Sequence, residues 1–249
     1  MIKITRISKS FGDRLILDNV SGEFEKAKTN LIIGASGTGK SVLLKCIVGL
    51  IHPDMGNVFY DLRNFTEADK EMKADIRREI GMLFQGGALF DSKNVEKNVM
   101  FPLDVLTKMA PDEKMDRVNF CLKRVGLEAA AKKMPSELSG GMKKRVGIAR
   151  AIVNNPKYLF CDEPNSGLDP QTSILIDELI SEITHEYRIT TIVVTHDMNS
   201  VLGIGEKIMF IHKGKNMWEG SQQDIMKSGV KELDDFVFVN KVMKSLKRD

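Results

Sequence analysis

Residues 34–41 read Gly34-Ala35-Ser36-Gly37-Thr38-Gly39-Lys40-Ser41. They follow the apolar run Leu31-Ile32-Ile33 and lead into a helical pattern from Val42 to Leu50. Strand, glycine-rich loop and helix in immediate succession form the setting in which G-x-x-x-x-G-K-[ST] holds a nucleoside triphosphate. Glycines let successive backbone N–H groups curl into a nest for phosphate oxygens. The helix N-terminus adds unpaired donors and a favourable dipole. Lys40 supplies a point charge for the outer phosphates, and the Ser41 hydroxyl is a ligand for Mg²⁺.

A chain of 249 residues suits one large domain, or one domain with an inserted subdomain. With 42% hydrophobic and 29% charged residues it has the composition of an ordinary soluble globular protein. No apolar run approaches the ~18–20 residues of a membrane span. Met1-Ile2-Lys3-Ile4-Thr5 opens as a strand, not as a signal sequence, so the expected location is cytoplasmic. Net charge is +3, from 37 basic and 34 acidic residues, which is too balanced for nucleic acid as the main partner. Cys46, Cys121 and Cys161 are odd in number, far apart and in apolar surroundings, which predicts buried reduced thiols and neither a disulfide framework nor a zinc site.

Ile2 to Ile7, Leu15 to Leu17 and Val20 to Phe24 read as strands, and Met55-Gly56-Asn57 as a turn into Val58-Phe59-Tyr60. Together they predict a small, mostly antiparallel sheet beside the nucleotide core. Ile80 to Phe84 is a further strand. From about Asp91 to Pro135 the pattern turns helical, with Met115, Val118, Leu122 and Val125 on one face and Gly126 as the stop, which predicts an inserted helical subdomain. Strands then alternate with helices: Tyr158 to Cys161, a helix from Ser173 to Tyr187, the β-branched strand Thr191 to Thr195, and a hairpin turning at Lys213-Gly214-Lys215. The C-terminal stretch holds Phe236, Val237, Phe238, Val239, Val242 and Met243; it reads either as a docked tail or as a frayed end.

Asp162-Glu163 follows the strand Tyr158 to Cys161 and is followed by Pro164. A carboxylate at such a strand end holds Mg²⁺ directly or through water. The next carboxylate, Glu163, is then placed to act as a general base on an attacking water. Ser139, Gly140 and Gly141 precede a helix running about Lys143 to Val153. Two readings stand side by side: a capped helix start, or a second anion site at a helix N-terminus. A two-fold dimer, each chain lending its second clamp to the other's nucleotide, would explain the latter.

The string LSGGMKKRVGIARA followed by Tyr158-Leu159-Phe160-Cys161-Asp162-Glu163-Pro164 closely resembles the signature and Walker B segments of ATP-binding cassette (ABC) ATPases, and the resemblance runs in order along essentially the whole chain. It implies a P-loop NTPase α/β core, mainly a parallel sheet flanked by helices, with an N-terminal antiparallel β subdomain and an inserted α-helical subdomain. It implies one nucleotide-binding domain over residues 1–249, a helical subdomain at about 87–153 and a C-terminal extension over 225–249.

The cofactors it implies are ATP and Mg²⁺. Phe11 matches the aromatic that stacks on adenine. Gly34, Ala35, Ser36, Gly37, Thr38, Gly39, Lys40, Ser41 and Val42 match the phosphate loop, and Ser139, Gly140 and Gly141 the signature clamp. Ser41, Gln85 and Asp162 match the residues around the metal. Glu163, His196 and Lys40 match the catalytic groups, His196 being the switch histidine near the γ-phosphate. Ser166-Gly167-Leu168-Asp169 matches the D-loop, which crosses the dimer interface.

Met142 departs from the family, whose usual glutamine there donates a hydrogen bond that methionine cannot. Met142 and the run Gly87-Ala88-Leu89-Phe90-Asp91-Ser92 are similar to the ATPases of Mla/Mce-type lipid and solvent-resistance transporters. That likeness implies a homodimer on the cytoplasmic face of the inner membrane. It also implies integral membrane permease subunits, small regulatory and periplasmic substrate-binding subunits, and glycerophospholipid as cargo. The alternatives are an ABC ATPase serving a small-solute importer or lipoprotein exporter, and a non-transport ABC protein. Ala88-Leu89-Phe90 reads either as part of the permease contact or as core packing.

Overall fold

The computed structural model describes residues 1–238; Val239, Val242 and Met243, and with them the end of the expected extension, lie outside the described residues. In chain order the strands and helices are β1 (Ile2–Phe11), β2 (Arg14–Phe24), β3 (Thr29–Ile33), α1 (Lys40–Val48), β4 (Met55–Tyr60), β5 (Arg63–Asn64), α2 (Lys70–Arg78), β6 (Ile80–Leu83), α3 (Val95–Leu106), α4 (Pro111–Arg124), α5 (Gly140–Ile152), β7 (Tyr158–Asp162), α6 (Pro170–Glu186), β8 (Thr190–Thr195), α7 (Met198–Ile204), β9 (Lys207–His212), β10 (Lys215–Gly220) and α8 (Lys231–Val237). One sheet has four strands in the order β2-β1-β4-β5; the other has six in the order β10-β9-β3-β8-β7-β6. The first is antiparallel throughout. The second is parallel except for the edge strand β10, which pairs antiparallel with β9.

The parallel strands are apolar along their length because both faces of the sheet are covered. Side chains alternate between two cores. Leu31, Ile33, Leu159, Cys161 and Val193 enter one core with residues of α3, α4, α5 and α6. Ile32, Tyr158, Phe160, Ile192 and Val194 enter the other with α1 and the inner face of the antiparallel sheet. On α4, Val118, Cys121 and Leu122 are buried, as is Val125 at its C-cap, while Met115 is only half-buried; Cys121 joins the expected face. All three cysteines are buried and free, and burial pushes the thiols of Cys46 and Cys121 up to about 11.

Several local expectations change. Leu15 to Leu17 and Val20 to Phe24 are one strand, not two: Asn19 takes φ 54 and the β1–β2 register shifts nearby, so a bulge keeps the strand continuous. Met55-Gly56-Asn57 is not a turn but part of β4, where register against β1 also shifts. α1, α5 and α6 begin at Lys40, Gly140 and Pro170, two or three residues before the expected starts at Val42, Lys143 and Ser173. α2 and α7 were not expected. α2 buries only Ile76 and so has no apolar stripe to read; α7 is seven residues long. Each starts at an aspartate cap, Asp69 and Asp197.

Past β10, Ile225, Leu233, Val237 and Phe238 are buried in the same core as Phe210. Among the described residues, no helix is long and apolar enough to cross a membrane.

Candidate active site

Three neighbouring parallel strands, β3, β8 and β7, end together at one edge of the sheet. Ile33 pairs with Thr195, and Asp162 with Val194. The residues that follow each strand are therefore delivered to one place: the glycine loop from β3, His196 from β8, and Asp162 and Glu163 from β7. The carboxyl ends of parallel strands are where such sheets bind ligands. A cavity of about 350 Å³ opens there, lined by Gly37, Gly39, Lys40, Ser41, Gln85 and Glu163 among others. Ser36 and Val42 also line it, as do Arg14 and Ile16 of β2, which motif reading did not include because β2 carries no recognisable pattern at that point.

Gly39 is the cap of α1, at φ 104 and with no side chain capping the helix, so the first N–H groups of α1 are left for a ligand. A Cβ at Gly39 would stand 2.9 Å from Leu17 Cδ2 and 3.0 Å from the Ile16 carbonyl; the loop is clamped onto β2 and only glycine fits. Lys40 is 5% exposed, and its ammonium donates to the carbonyls of Gly34 at 2.8 Å and Ala35 at 2.9 Å. Burial lowers its pKa, while Glu163 and Asp162 act in the opposite direction. The loop thus holds a desolvated cation that has no carboxylate in contact among the described residues.

Ser41 Oγ donates to Asp162 Oδ1 at 2.9 Å, so the hydroxyl and the carboxylate expected around Mg²⁺ meet although 121 residues separate them. Among the described residues no group of three or more His, Cys, Asp and Glu is arranged to hold a metal. That suits Mg²⁺, which is held by one or two protein oxygens together with phosphates and water. The donor set of hydroxyl, carboxylate and phosphate loop fits the ion and the nucleotide. Gln85 is less directly placed: its amide donates to Ser166 Oγ at 3.4 Å, although the residue lines the cavity.

Glu163 has φ 49, an unusual backbone for a side chain of its kind, and its N–H donates to the Val194 carbonyl at 2.9 Å. Its carboxylate meets His196 Nδ1 at 2.9 Å. The Glu163 side chain is 13% exposed and that of His196 60%, so the imidazole covers the carboxylate from the solvent side; Glu163 lines the cavity and His196 does not. A carboxylate oriented by an imidazole beside a phosphate cradle can take a proton from water.

Phe11 is 50% exposed at the end of β1, with the Lys9 ammonium 5.5 Å from its ring centroid; it does not line the phosphate cavity. Ser139 and Gly141 do not line it either. They edge a separate groove with Thr172, Leu175 and Arg145. Ser139 caps α5, accepting from the Met142 N–H at 3.3 Å. A Cβ on Gly141 would lie 2.5 Å from Thr172 Cγ2, so this glycine also lets α5 and α6 approach. A larger cleft of about 600 Å³ opens beside Lys26, Lys157 and Arg188 at the opposite ends of β7 and β8, away from the glycine loop.

Behind the segment from Glu163 to Asp169 lies a buried polar cluster. Asn165 Nδ2 donates to Ser200 Oγ at 3.1 Å, while Asn165 Oδ1 and Asp177 Oδ1 have no partner among the described residues. Burial pushes the Asp177 carboxyl from its ordinary 3.8 up to about 6; the charge of Asp197 adds to this, and hydrogen bonds from Ser200 and Asn165 oppose it. The folded protein holds this proton more tightly than the unfolded chain. The unfolding free energy therefore falls as pH rises from about 4 to about 6, and the cost is complete above that. Asp177→Asn is expected to be more stable than the parent at pH 7, on the order of 2 kcal/mol, and to match it near pH 4. Denaturant unfolding at the two pH values checks this; an equal difference at both would refute it.

A family model described as ABC transporter matches residues 17–166, more than half of the chain. The chain is 41% identical over 198 residues to the probable ribonucleotide transport ATP-binding protein Mkl of Mycobacterium leprae (strain TN), covering 80% of this chain and 57% of that protein. It is 41% identical over 227 residues to the methionine import ATP-binding protein MetN of Clostridium tetani (strain Massachusetts / E88), covering 90% of this chain and 70% of that protein. The solved dimer of the ATP-binding cassette MJ0796 in a post-hydrolysis state, bound to ADP and Pi, superimposes with a TM-score of 0.81 at 34% identity, over 89% of this chain and 99% of that one. With its strand-end cavity, its phosphate loop and these relatives, the chain belongs to the ABC transporter family, as an α/β ATPase domain that takes ATP and Mg²⁺.

Proposed function

We propose that the chain is the energy-supplying subunit of a membrane transporter, and that Glu163 is the base for ATP hydrolysis, oriented by His196. The observation that carries this reading is the meeting of Glu163 and His196 at 2.9 Å beside a cavity that also holds Lys40 and Ser41. Lys40 and the N–H groups of α1 bind the phosphates. Ser41 and Asp162 would hold Mg²⁺, with Gln85 as the further residue beside it; bound there, the ion would offset charge on the phosphate oxygens. Glu163 takes the proton of the attacking water, and Lys40 stabilises charge that grows on the transferring group. Ser139 and Gly141 line a groove apart from this cavity, which supports the use of the Ser139-Gly140-Gly141 clamp on a second copy's nucleotide. In that homodimer Phe11 meets the adenine.

The permease contact is a groove of about 370 Å³ lined by Phe84, Ala88, Phe90, Phe101, Pro102 and Val105 among others. Ala88 and Phe90 are exposed while Leu89 packs on the core, so the two readings of this tripeptide divide between its residues. Residues 1–249 then form one nucleotide-binding domain, with a helical subdomain at about 87–153 and an extension from 225, seated on the cytoplasmic face of the inner membrane.

We infer glycerophospholipid as cargo from Met142 and the run Gly87 to Ser92, which resemble lipid-transport ATPases. The relatives named for ribonucleotide transport and methionine import favour a second reading, a small-solute importer. Mass spectrometry of the tagged protein with its partners, purified from native membranes, separates them. Recovery of an integral membrane permease with bound glycerophospholipid is the expected result. A lipid-free permease whose ATPase is stimulated by a small solute favours the second reading, and nucleic acid without a membrane protein sinks both.

A further inference from the structure

Among the described residues, two lysines are buried to 5% exposure, Lys40 and Lys144. The phosphates account for the first. Lys144 lies in the second turn of α5, five residues after Ser139, and does not line the nucleotide cavity. Its ammonium donates to two backbone carbonyls from separate segments, that of Gln85 and, at 3.3 Å, that of Glu163. Burial works against the charge; the carboxylates of Glu163 and Asp162 and the thiol of Cys161 favour it.

The placement matters because Glu163 is held at φ 49. A side chain with a carboxylate gains nothing from that backbone, and such a residue persists only when its surroundings over-determine it. The Glu163 N–H is tied to Val194 of β8, and its carbonyl accepts from the Ser166 N–H at 3.2 Å and from Lys144. Arg150, from the same helix, donates to the carbonyls of Gly87 and Ala88 and makes no bond to the Glu163 peptide. Lys144 thus ties α5 both to the loop of Gln85 and to the peptide of Glu163.

We propose that Lys144 is a positioning residue for ATP hydrolysis: its ammonium ties the carbonyl of Gln85 to that of Glu163 and so holds the Glu163 carboxylate against His196. The proposal rests on Glu163 being the base. Lys144 does not itself line the cavity and bonds only backbone carbonyls of two residues that do, Gln85 and Glu163, so its loss acts on turnover far more than on ATP binding. A motion of the Gln85 loop shifts the anchor of Glu163 through the same ammonium.

The test is steady-state hydrolysis by the full chain with ATP and Mg²⁺, with turnover counted per nucleotide-binding site so that misfolded protein does not enter kcat. Lys144→Met removes both bonds while keeping the length of the side chain. Lys144→Gln keeps an amide donor able to reach one carbonyl. The expected result is a kcat at least tenfold lower in Lys144→Met, a KM for ATP within threefold of the parent, and an intermediate kcat in Lys144→Gln. If Lys144→Met does not fold, Lys144→Gln decides: lowered kcat with unchanged KM supports the proposal. A kcat within twofold of the parent in the variant that decides, or a loss matched by an equal rise in KM, overturns it. Glu163→Gln, run in parallel, separates the two claims: turnover retained there would remove Glu163 as base, whatever Lys144 does.

Discussion

Glu163→Gln is expected to lower kcat by about 10²–10⁴-fold while leaving ATP affinity nearly unchanged. The amide has the shape of the carboxylate and can still accept from His196, with which Glu163 is in contact at 2.9 Å. It cannot take a proton from water. In the proposed site, nucleotide binding rests on other groups, chiefly the loop carbonyl-held Lys40 and the free N–H groups of α1. Phosphate release gives kcat, and equilibrium binding of ATP gives the affinity. An ATP-loaded variant that cannot turn over should also gather as the closed dimer, which size-exclusion chromatography with and without ATP would show. Hydrolysis at the parental rate would take the base role away from Glu163.

Lys40→Met should act on both binding and chemistry. The ammonium is already directed by the carbonyls of Gly34 and Ala35, so little reorganisation is needed when phosphate arrives. Loss of one such preorganised group lowers kcat by roughly 10²–10³-fold, and the lost ground-state contact raises KM as well. Stability should respond differently. Burial penalises the charge of Lys40, and its removal relieves that cost. The nucleotide-free variant is therefore expected to unfold within about 1 kcal/mol of the parent. What disappears is the rise in melting temperature that ATP produces in the parent, since a ligand stabilises only the state it binds. Lys40→Arg should not restore activity, because a planar guanidinium cannot fill a site shaped for a 5%-exposed ammonium. A variant that keeps its ATP-dependent melting shift would show that the loop binds phosphate without this cation.

The site was readable in the sequence where chemistry and local geometry coincide. The glycine loop and the Asp162-Glu163 pair announce themselves because each sits at the end of an apolar strand. The parallel sheet was legible for the same reason: β7 and β8 are apolar on both faces, which only a doubly covered strand needs. Gly141 was read as a phosphate contact, yet its close packing against Thr172 depends on α6, which no local pattern encodes. Arg14 and Ile16 reach the cavity only because β2 folds over Gly39. Lys144 was not singled out: in the sequence it stands between two other cations, Lys143 and Arg145, and its burial follows from helix orientation against the Glu163 segment. α2 was invisible because its stability comes from a cap and charge pairing, not from an apolar stripe.

The strand order of the six-stranded sheet also bears on how the chain is made. β3 has only β8 and β9 as neighbours, so its partners begin at Thr190 and Lys207. During synthesis at roughly 5–20 residues per second, this apolar segment would wait about 10–30 s beyond its own emergence before either edge is covered. The antiparallel sheet completes much sooner, since β1, β2, β4 and β5 all lie within the first 64 residues. A nascent chain therefore carries a finished outer sheet beside an unpaired inner strand. A ribosome stall between residues 65 and 190 would expose it to aggregation or to chaperone capture.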